Sequence, residues 1–331
     1  MNLHTDGELF KQAVIITAQK IQLPEIYIEK DYWVTFALHS IFHSKLKNSV
    51  IFKGGTALSK CYGMIDRFSE DIDLVLLRDG SESSNQLKNK LKAVSELISE
   101  QISEVERIGI TNKKGMIRKT AHNYPKIFKG EFAQVRNDII IETGWLGSSE
   151  PYEAKLIQSY IYDAIVDVDV DGVIEKFGLS PFTVNALSIS RTLCEKIMSL
   201  VRFSYGHNPV KDLNNKIRHI YDIHQLLENN ELNEFFNSKE FDGMLIQVAT
   251  EDMSSFKNNK NWIFTHPSEA LIFSDVEGIW PKLSKTYNTD FSELLFGGLP
   301  AEKDIIATLI KVAERMSKID WEILPNNKCI K

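Results

Sequence analysis

Cysteine is scarce in this chain. Its three residues, Cys61, Cys194 and Cys329, are odd in number and far apart among 331 positions, which argues against a disulfide framework and for a reducing compartment. Cys61 and Cys194 stand in apolar helical contexts and are expected to pack rather than react. Long apolar runs are missing as well: none approaches the length that spans a bilayer, and the opening MNLHTDGELFKQ lacks a signal-peptide pattern. No internal repeat or low-complexity linker occurs. Positive charge is not in excess either, since the formal net charge is -6, which argues against binding nucleic acid through bulk electrostatics. These absences predict a soluble cytoplasmic protein with no membrane partner, long enough for a sizeable core in one to three domains.

What is present concentrates in one window. Residues 51–74 read IFKGGTALSKCYGMIDRFSEDIDL. The apolar run Val50-Ile51-Phe52 predicts a strand, Gly54-Gly55-Thr56 a turn, the following residues a short helix, and the segment around Asp71-Ile72-Asp73 a second strand. Strand side chains alternate, so Asp71 and Asp73 share a face while Ile72, Leu74 and Leu76 enter the core. Like charges held that close repel unless a cation sits between them, and a hard cation such as Mg2+ suits paired carboxylates plus substrate phosphates. Gly54 and Gly55 let the backbone approach a phosphate, and a helix beginning near Thr56 would aim free N–H groups at the same point. The Thr56 hydroxyl either caps that helix or touches phosphate. Gly-Gly alone is a common turn, and Asp-x-Asp alone is a common solvated strand or loop. Their conjunction in one short window is far more specific and is the layout of a metal-dependent nucleotidyl-transfer site.

The segment resembles the motif of the polymerase-beta-type nucleotidyltransferase superfamily, and KGGTALSKCYG…RFSEDIDL is especially similar to the AbiEii/AbiGii (MenT-like) nucleotidyltransferase toxins. Upstream, Ile28-Glu29-Lys30-Asp31-Tyr32-Trp33 resembles that family's Glu-Lys-Asp helix start. Downstream, Arg191-Thr192-Leu193-Cys194-Glu195-Lys196-Ile197 resembles its Arg-Thr-x-x-Glu-Lys helix, and Arg218-His219-Ile220-Tyr221-Asp222-Ile223 its Arg-Asp-x-Tyr-Asp-Leu motif. The likeness runs from residue 25 to residue 227. His219 stands where the family usually has Asp, and no role passes to it.

The resemblance implies an α+β fold: a polymerase-beta-like nucleotidyltransferase lobe with a mixed sheet and N-terminal helices over 1–186, then a mainly helical C-terminal lobe over 187–331, with substrate between them. It implies a third carboxylate. Glu142, closing the β-branched run 137–143 before Gly144, is the candidate, ahead of Asp138 at the start of that run; a surface charge at a strand end is the ordinary alternative. Asp71, Asp73 and Glu142 would then hold one or two Mg2+ ions, with Mn2+ as the alternative. Lys196 and Asp222 carry over as further catalytic residues. Lys196 borders an apolar stripe of Leu193, Ile197, Leu200 and Val201, where it snorkels or reaches the β- and γ-phosphates. Asp222 needs a partner, which Lys196, Arg202 or the metal would supply; a purely structural salt bridge between two helices satisfies the same pattern. Gly54, Gly55, Thr56, Lys196 and Arg202 would position the triphosphate, while Ser59, Lys60, Arg67, Ser69 and Glu70 match the motif in less defined roles. The resemblance further implies an NTP donor, a tRNA acceptor, and a toxin of a type IV toxin-antitoxin or phage-abortive system with a separately encoded antitoxin. An adenylyltransferase of a protein or small molecule, and a non-catalytic module on the same fold, are the competing readings.

Elsewhere the signals are coarser. From Arg107 to Lys129 there are Arg107, Lys113, Lys114, Arg118, Lys119, Lys126 and Lys129 with no acidic residue between them. With Tyr124 and Phe128 to stack on bases, this is a candidate RNA groove, or otherwise a solvated hairpin. The stretch Asp167-Val168-Asp169-Val170-Asp171-Gly172 is similar to an EF-hand opening but has Gly178 where a bidentate Glu is required, so it reads as a strand running into a turn. Periodicity predicts helices over 4–22 and 29–46, an amphipathic helix over 85–106, and strands near 108–111, 116–122, 130–143 and 158–168. From Leu187 the chain reads as mostly helical, with Asn-rich breaks at 229–230 and 258–261.

Overall fold

The computed structural model describes residues 1–130, 136–147, 149–169, 172–255 and 261–323. Cys329, Asp171, positions 131–135 of the expected strand and most of the break expected at 258–261 fall outside them. The chain forms two units, Met1–Trp145 with Ser149–Leu187, and Leu146–Ser148 with Ser188–Lys331.

The first unit opens with α1 (Gly7–Ile21), whose free N–H groups are capped by the Asp6 carboxylate at Leu9. The chain turns through Pro24 into α2 (Glu25–Phe42), which is buried at every position from Ile26 to Leu38. A helix apolar on nearly all sides belongs in a core, and its exceptions, Glu29, Lys30 and Asp31, must find partners there. Then follow β1 (Val50–Lys53), α3 (Gly54–Lys60) and β2 (Ile72–Leu76). Ser83 and Gln86 form a reciprocal capping box that starts α4 (Ser84–Ser99), whose buried stripe is Leu87, Leu91, Val94 and Ile98. The remaining elements are β3 (Ser103–Val105), β4 (Ile117–Asn123), β5 (Ile139–Gly144), β6 (Tyr152–Ile157), α5 (Tyr160–Ile165), α6 (Val173–Phe177) and β7 (Phe182–Leu187).

Among the described residues seven strands form one mixed sheet in the order β3-β4-β5-β2-β1-β7-β6, with β2–β5 and β1–β7 parallel and the other neighbours antiparallel. Phe52, Ile72, Leu74, Leu76, Ile139 and Ile141 join the large core built with α1, α2 and α4, as the alternation of β2 predicts. Residues of the alternate register, Ile51 and Val75, make a small separate cluster with Leu187. The charged positions of β1, β2 and β5 share that second face.

Several expected elements differ. The helix predicted to 106 stops at Ser99: the polar run Ser99-Glu100-Gln101 interrupts its stripe, Ile102 turns into the core, and β3 begins. The strand expected at 108–111 is a turn in which the Ile110 and Thr111 N–H groups both donate to the Arg107 carbonyl. The strand expected at 158–168 is α5, capped by Ser159, followed by a 3-10 turn. At the EF-hand-like stretch, the Asp169 carboxylate accepts from the Val173 and Ile174 N–H groups and starts α6, a capping role rather than a strand end. Strands β6 and β7 were not foreseen; β6 is an edge strand whose mixed YEAKLI sequence is exposed at most positions.

The second unit is mainly helical. It contains α7 (Ile189–Ser204), α8 (Pro209–Asn214), α9 (Ile217–Glu228), α10 (Asn230–Asn237), α11 (Lys239–Ser255), a series of short helical turns, and the helix Glu302–Met316. The break at 229–230 is a cap: the Asn229 side chain accepts from the Leu232 N–H. The fold is thus α+β, a mixed seven-stranded sheet with a mainly helical C-terminal region.

Candidate active site

Strand register assembles the site. Lys53 lies opposite Asp73, Asp73 opposite Glu142, and Glu142 opposite Lys119. Because side chains alternate along strands, these four form one charged row across β1, β2, β5 and β4. The two carboxylates in the middle are adjacent, and Asp71 stands two positions before Asp73. Burial, followed by repulsion from Glu142 and Asp71, pushes the Asp73 carboxyl up from its ordinary 3.8 to about 7, only partly opposed by Lys53 and Lys119. Arg136 Nη1 donates to Asp71 Oδ2 at 2.6 Å, and Lys119 Nζ donates to Glu142 Oε2 at 2.9 Å. The other Asp71 oxygen, Oδ1, is buried without a hydrogen-bond partner.

The Gly-Gly turn is shaped around these carboxylates. Gly54 has φ +79°, and a Cβ there would collide with the Asp73 carboxylate; a Cβ on Gly55 would lie 2.6 Å from Arg67 Nη2 and 2.8 Å from Ser69 Oγ. Only glycine meets both demands at position 54. The helix starts at Gly54, not near Thr56. Of the two roles expected for Thr56, capping is not made: its hydroxyl donates to the Asp71 carbonyl at 2.6 Å and pairs with Ser69 Oγ at 3.0 Å. Arg67 is buried and donates to the Phe68 carbonyl. Gly54, Gly55, Thr56, Arg67 and Ser69 therefore gather at Asp71 and Asp73. Ser59 and Lys60 are directed elsewhere: Ser59 hydrogen-bonds the Tyr160 hydroxyl, and Lys60 forms a buried ion pair with Asp31 at 2.6 Å while donating to the Gln158 carbonyl.

The Glu-Lys-Asp segment of α2, unassigned in sequence, proves to be scaffold. Glu29 accepts from the Ile127 and Phe128 N–H groups. Lys30 donates to the Arg136 and Asp138 carbonyls, and burial lowers its pKa to about 8. Asp31 takes Lys60 and the Tyr160 N–H. Three buried charges thus tie the approach to β5 and the start of α5 to one helix. Arg136, Lys119 and Lys53 were the site residues that sequence reasoning missed. Lys53 adjoins Gly54 in the motif itself, and Lys119 is visible only once the β4–β5 register is known.

In the second unit, Lys196 Nζ donates to Asp222 Oδ2 at 2.7 Å, both side chains being buried. Burial lowers the pKa of Arg202, with Asp252 and Glu195 acting in the opposite sense. The wholly buried Arg191 bridges Glu195 and Glu251.

The donor types suit a hard divalent ion: three carboxylates at and just before adjacent strands, one with a buried oxygen that lacks a hydrogen bond and another whose pKa is raised by burial and by its acidic neighbours. Among the described residues no three or more His, Cys, Asp or Glu side chains lie close enough together to hold a metal ion as they stand, and two of the carboxylates rest on basic side chains. The proposed base-stacking stretch is corrected: Tyr124 is buried against Trp33, with ring centroids 5.8 Å apart, and Phe128 packs on the core. Three of its cations pair with carboxylates from outside the stretch, Arg107 with Asp138, Lys113 with Glu104 and Lys119 with Glu142. Burial raises both the Cys61 thiol, to about 12, and the Cys194 thiol, which leaves them unreactive. No helix among the described residues is long and apolar enough to cross a membrane.

The family model for the nucleotidyl transferase AbiEii toxin of type IV toxin-antitoxin systems matches residues 37–308. No curated protein matches the sequence. Among solved structures the chain is similar to MenT4, a nucleotidyltransferase toxin from Mycobacterium tuberculosis H37Rv, at 14% identity over 93% of this chain and 90% of that one, with a TM-score of 0.51. That likeness is one of fold. With the family match spanning most of its length, the chain belongs to the AbiEii nucleotidyltransferase toxin family of type IV toxin-antitoxin systems.

Proposed function

We propose that this toxin is a divalent-metal-dependent enzyme that transfers a nucleotide from an NTP to a tRNA and releases pyrophosphate. The observation that carries the reading is the meeting of Asp71, Asp73 and Glu142 at adjacent strands, with the Asp73 carboxyl raised to about 7 and a buried Asp71 oxygen lacking a hydrogen bond. These residues would hold Mg2+ or Mn2+, which when bound supplies positive charge to the phosphates and lowers the pKa of an attacking hydroxyl. Gly54 and Gly55 keep the backbone bare beside the carboxylates, leaving room for a phosphate. Thr56, Arg67 and Ser69 hold that turn, and Thr56 fixes the Asp71 backbone. Ser59 and Lys60 act one step removed, anchoring α3 through Tyr160 and Asp31.

In the helical unit, Lys196 and Arg202 are assigned to the triphosphate. Asp222 occupies one of the three N–H donors of Lys196 and orients the others. The tRNA acceptor is supported by the toxin family and by the exposed Lys114, Lys126 and Lys129. The family also implies a partner antitoxin, encoded separately, and a cytoplasmic setting. The test is incubation of each NTP, radiolabelled at the α-phosphate, with total tRNA and with cell-lysate protein. Label should enter tRNA, require Mg2+ or Mn2+, and vanish with Asp71→Asn and Asp73→Asn. Label confined to protein would overturn the acceptor; undiminished NTP consumption by both variants would overturn the site.

A further inference from the structure

We propose that Arg136 and Lys119 are exchangeable counter-cations: they hold Asp71 and Glu142 in the metal-free protein, yield those carboxylates to a divalent ion, and turn to the triphosphate that arrives with it. This rests on the reading that the three carboxylates ligate metal. The two basic residues come from different elements, Arg136 from the approach to β5 and Lys119 from β4, yet each places one donor on one carboxylate oxygen.

These pairs differ from the ion pairs that serve as scaffold in the same unit. Lys60 and Asp31 are only 5% and 4% exposed, and Arg107 grips Asp138 with a two-pronged fork of 2.5 and 3.1 Å. Arg136 uses a single prong, pairs with an Asp71 side chain that is 28% exposed where Asp138 is 6% exposed, and leaves Asp71 Oδ1 unbonded. An arginine placed for structure is expected to fork. Half-wet pairs are weak and break at little cost.

The backbones, in contrast, are held. The Arg136 carbonyl accepts from Lys30 and its N–H points at Glu70 at 3.4 Å, while Lys119 sits within the β4 ladder. Each side chain can therefore swing without moving its segment. Charge supplies the reason. Before metal, Asp71, Asp73 and Glu142 face Arg136, Lys53 and Lys119, and the signs balance once all three carboxylates are ionised. An incoming dication leaves a positive surplus that a polyanionic triphosphate offsets.

The experiment measures Mn2+ binding to the full chain without nucleotide, by electron paramagnetic resonance of the free ion, and then binding of ATP, CTP, GTP and UTP in turn with Mg2+. For Arg136→Gln the account expects Mn2+ to bind tighter by about fivefold, as removal of a competing ion pair implies, and the preferred NTP to bind weaker. Lys119→Gln should move both in the same directions. Mn2+ affinity unchanged or weakened in both variants, or NTP affinity unaffected, overturns the exchange; a merely structural role would weaken both ligands. Should Arg136→Gln fail to fold, Lys119→Gln carries the test alone. Wild-type Mn2+ binding that survives Asp73→Asn and Glu142→Gln would instead overturn the underlying metal assignment.

Discussion

Replacing Asp73 with Asn should stabilise the metal-free protein at pH 8 while abolishing transfer. The Asp73 carboxyl is pushed from its ordinary 3.8 to about 7 by burial and by the neighbouring Glu142 and Asp71. Between those two values the folded protein holds a proton that the unfolded chain has released. Protonation therefore favours the fold fully below pH 4, and that contribution is lost as pH rises through 7. At about 1.36 kcal/mol per pH unit, the span sets an upper bound of ~4 kcal/mol. Sharing of charge among three coupled carboxylates brings the expected value to the order of 2 kcal/mol. Asn is neutral at every pH. The variant should thus match wild type near pH 4, already exceed it slightly at pH 5, and exceed it at pH 8 by roughly 3 °C in melting temperature for a chain of 331 residues. Melting followed by circular dichroism in EDTA at pH 5, 6.5 and 8 reads this directly. Adding Mg2+ should raise the wild type's melting temperature at pH 8 and leave the variant's unmoved. Parallel melting profiles of the two proteins across pH, or an Asn variant that is the less stable at pH 8, would refute the reasoning.

Three further outcomes are expected. Gly54→Ala, which meets both a left-handed backbone and the Asp73 carboxylate, should cost about 1–3 kcal/mol and most of the transferase activity; Gly63→Ala, at φ +60° with nothing within 4 Å, should cost stability alone, as denaturant titration and labelling of tRNA together would show. Lys60→Met and Asp31→Asn should each lose about 3–5 kcal/mol by stranding a buried charge, and the double variant should lose less than the sum of the two in urea melts. Lys196→Met should destabilise comparably by removing the ammonium group that faces the fully buried Asp222 carboxylate. Combining it with Asp222→Leu should recover stability but not transfer, which separates the packing role of the pair from its assignment to the triphosphate.

Much of the first unit's centre was legible because local pattern and tertiary demand agree there. Ile72, Leu74 and Leu76 face the core as alternation requires, leaving Asp71 and Asp73 to the other face. The β2–β5 register then sets Glu142 beside Asp73, as the resemblance implied. Roles set by distant partners were not legible. Thr56 serves the Asp71 carbonyl, fifteen residues away in sequence, and Lys60 serves Asp31 on another helix; a motif specifies which residues are present, not which way they point. Tyr124 illustrates the same limit in reverse. Surrounded by lysines in sequence, it reads as a stacking platform, yet Trp33 draws it into the core. The edge strand β6 escaped because its exposure erases the alternation by which a strand is recognised; β7 is an interior strand whose Phe182, Val184 and Ala186 are buried in alternation, and it was overlooked. The short helix α5 escaped because six residues offer too few turns for its period to emerge.

Buried charge recurs as the organising device of the first unit. Glu29, Lys30 and Asp31 lie consecutively on α2, and each fixes a different segment. Lys30 secures the backbone of Arg136, which touches Asp71; Asp31 secures Lys60 at the end of α3. The Glu-Lys-Asp motif therefore acts on the carboxylate row through the segments it anchors, and substitutions there are expected to reach activity without any contact with substrate.

The most direct measurement is the anomalous difference map of crystals soaked in Mn2+ and an NTP. The account predicts a peak bonded to Asp71, Asp73 and Glu142 and bridging to the nucleotide phosphates, with Arg136 withdrawn from Asp71. A nucleotide bound with no peak at those carboxylates, or with manganese held by other residues, would contradict it.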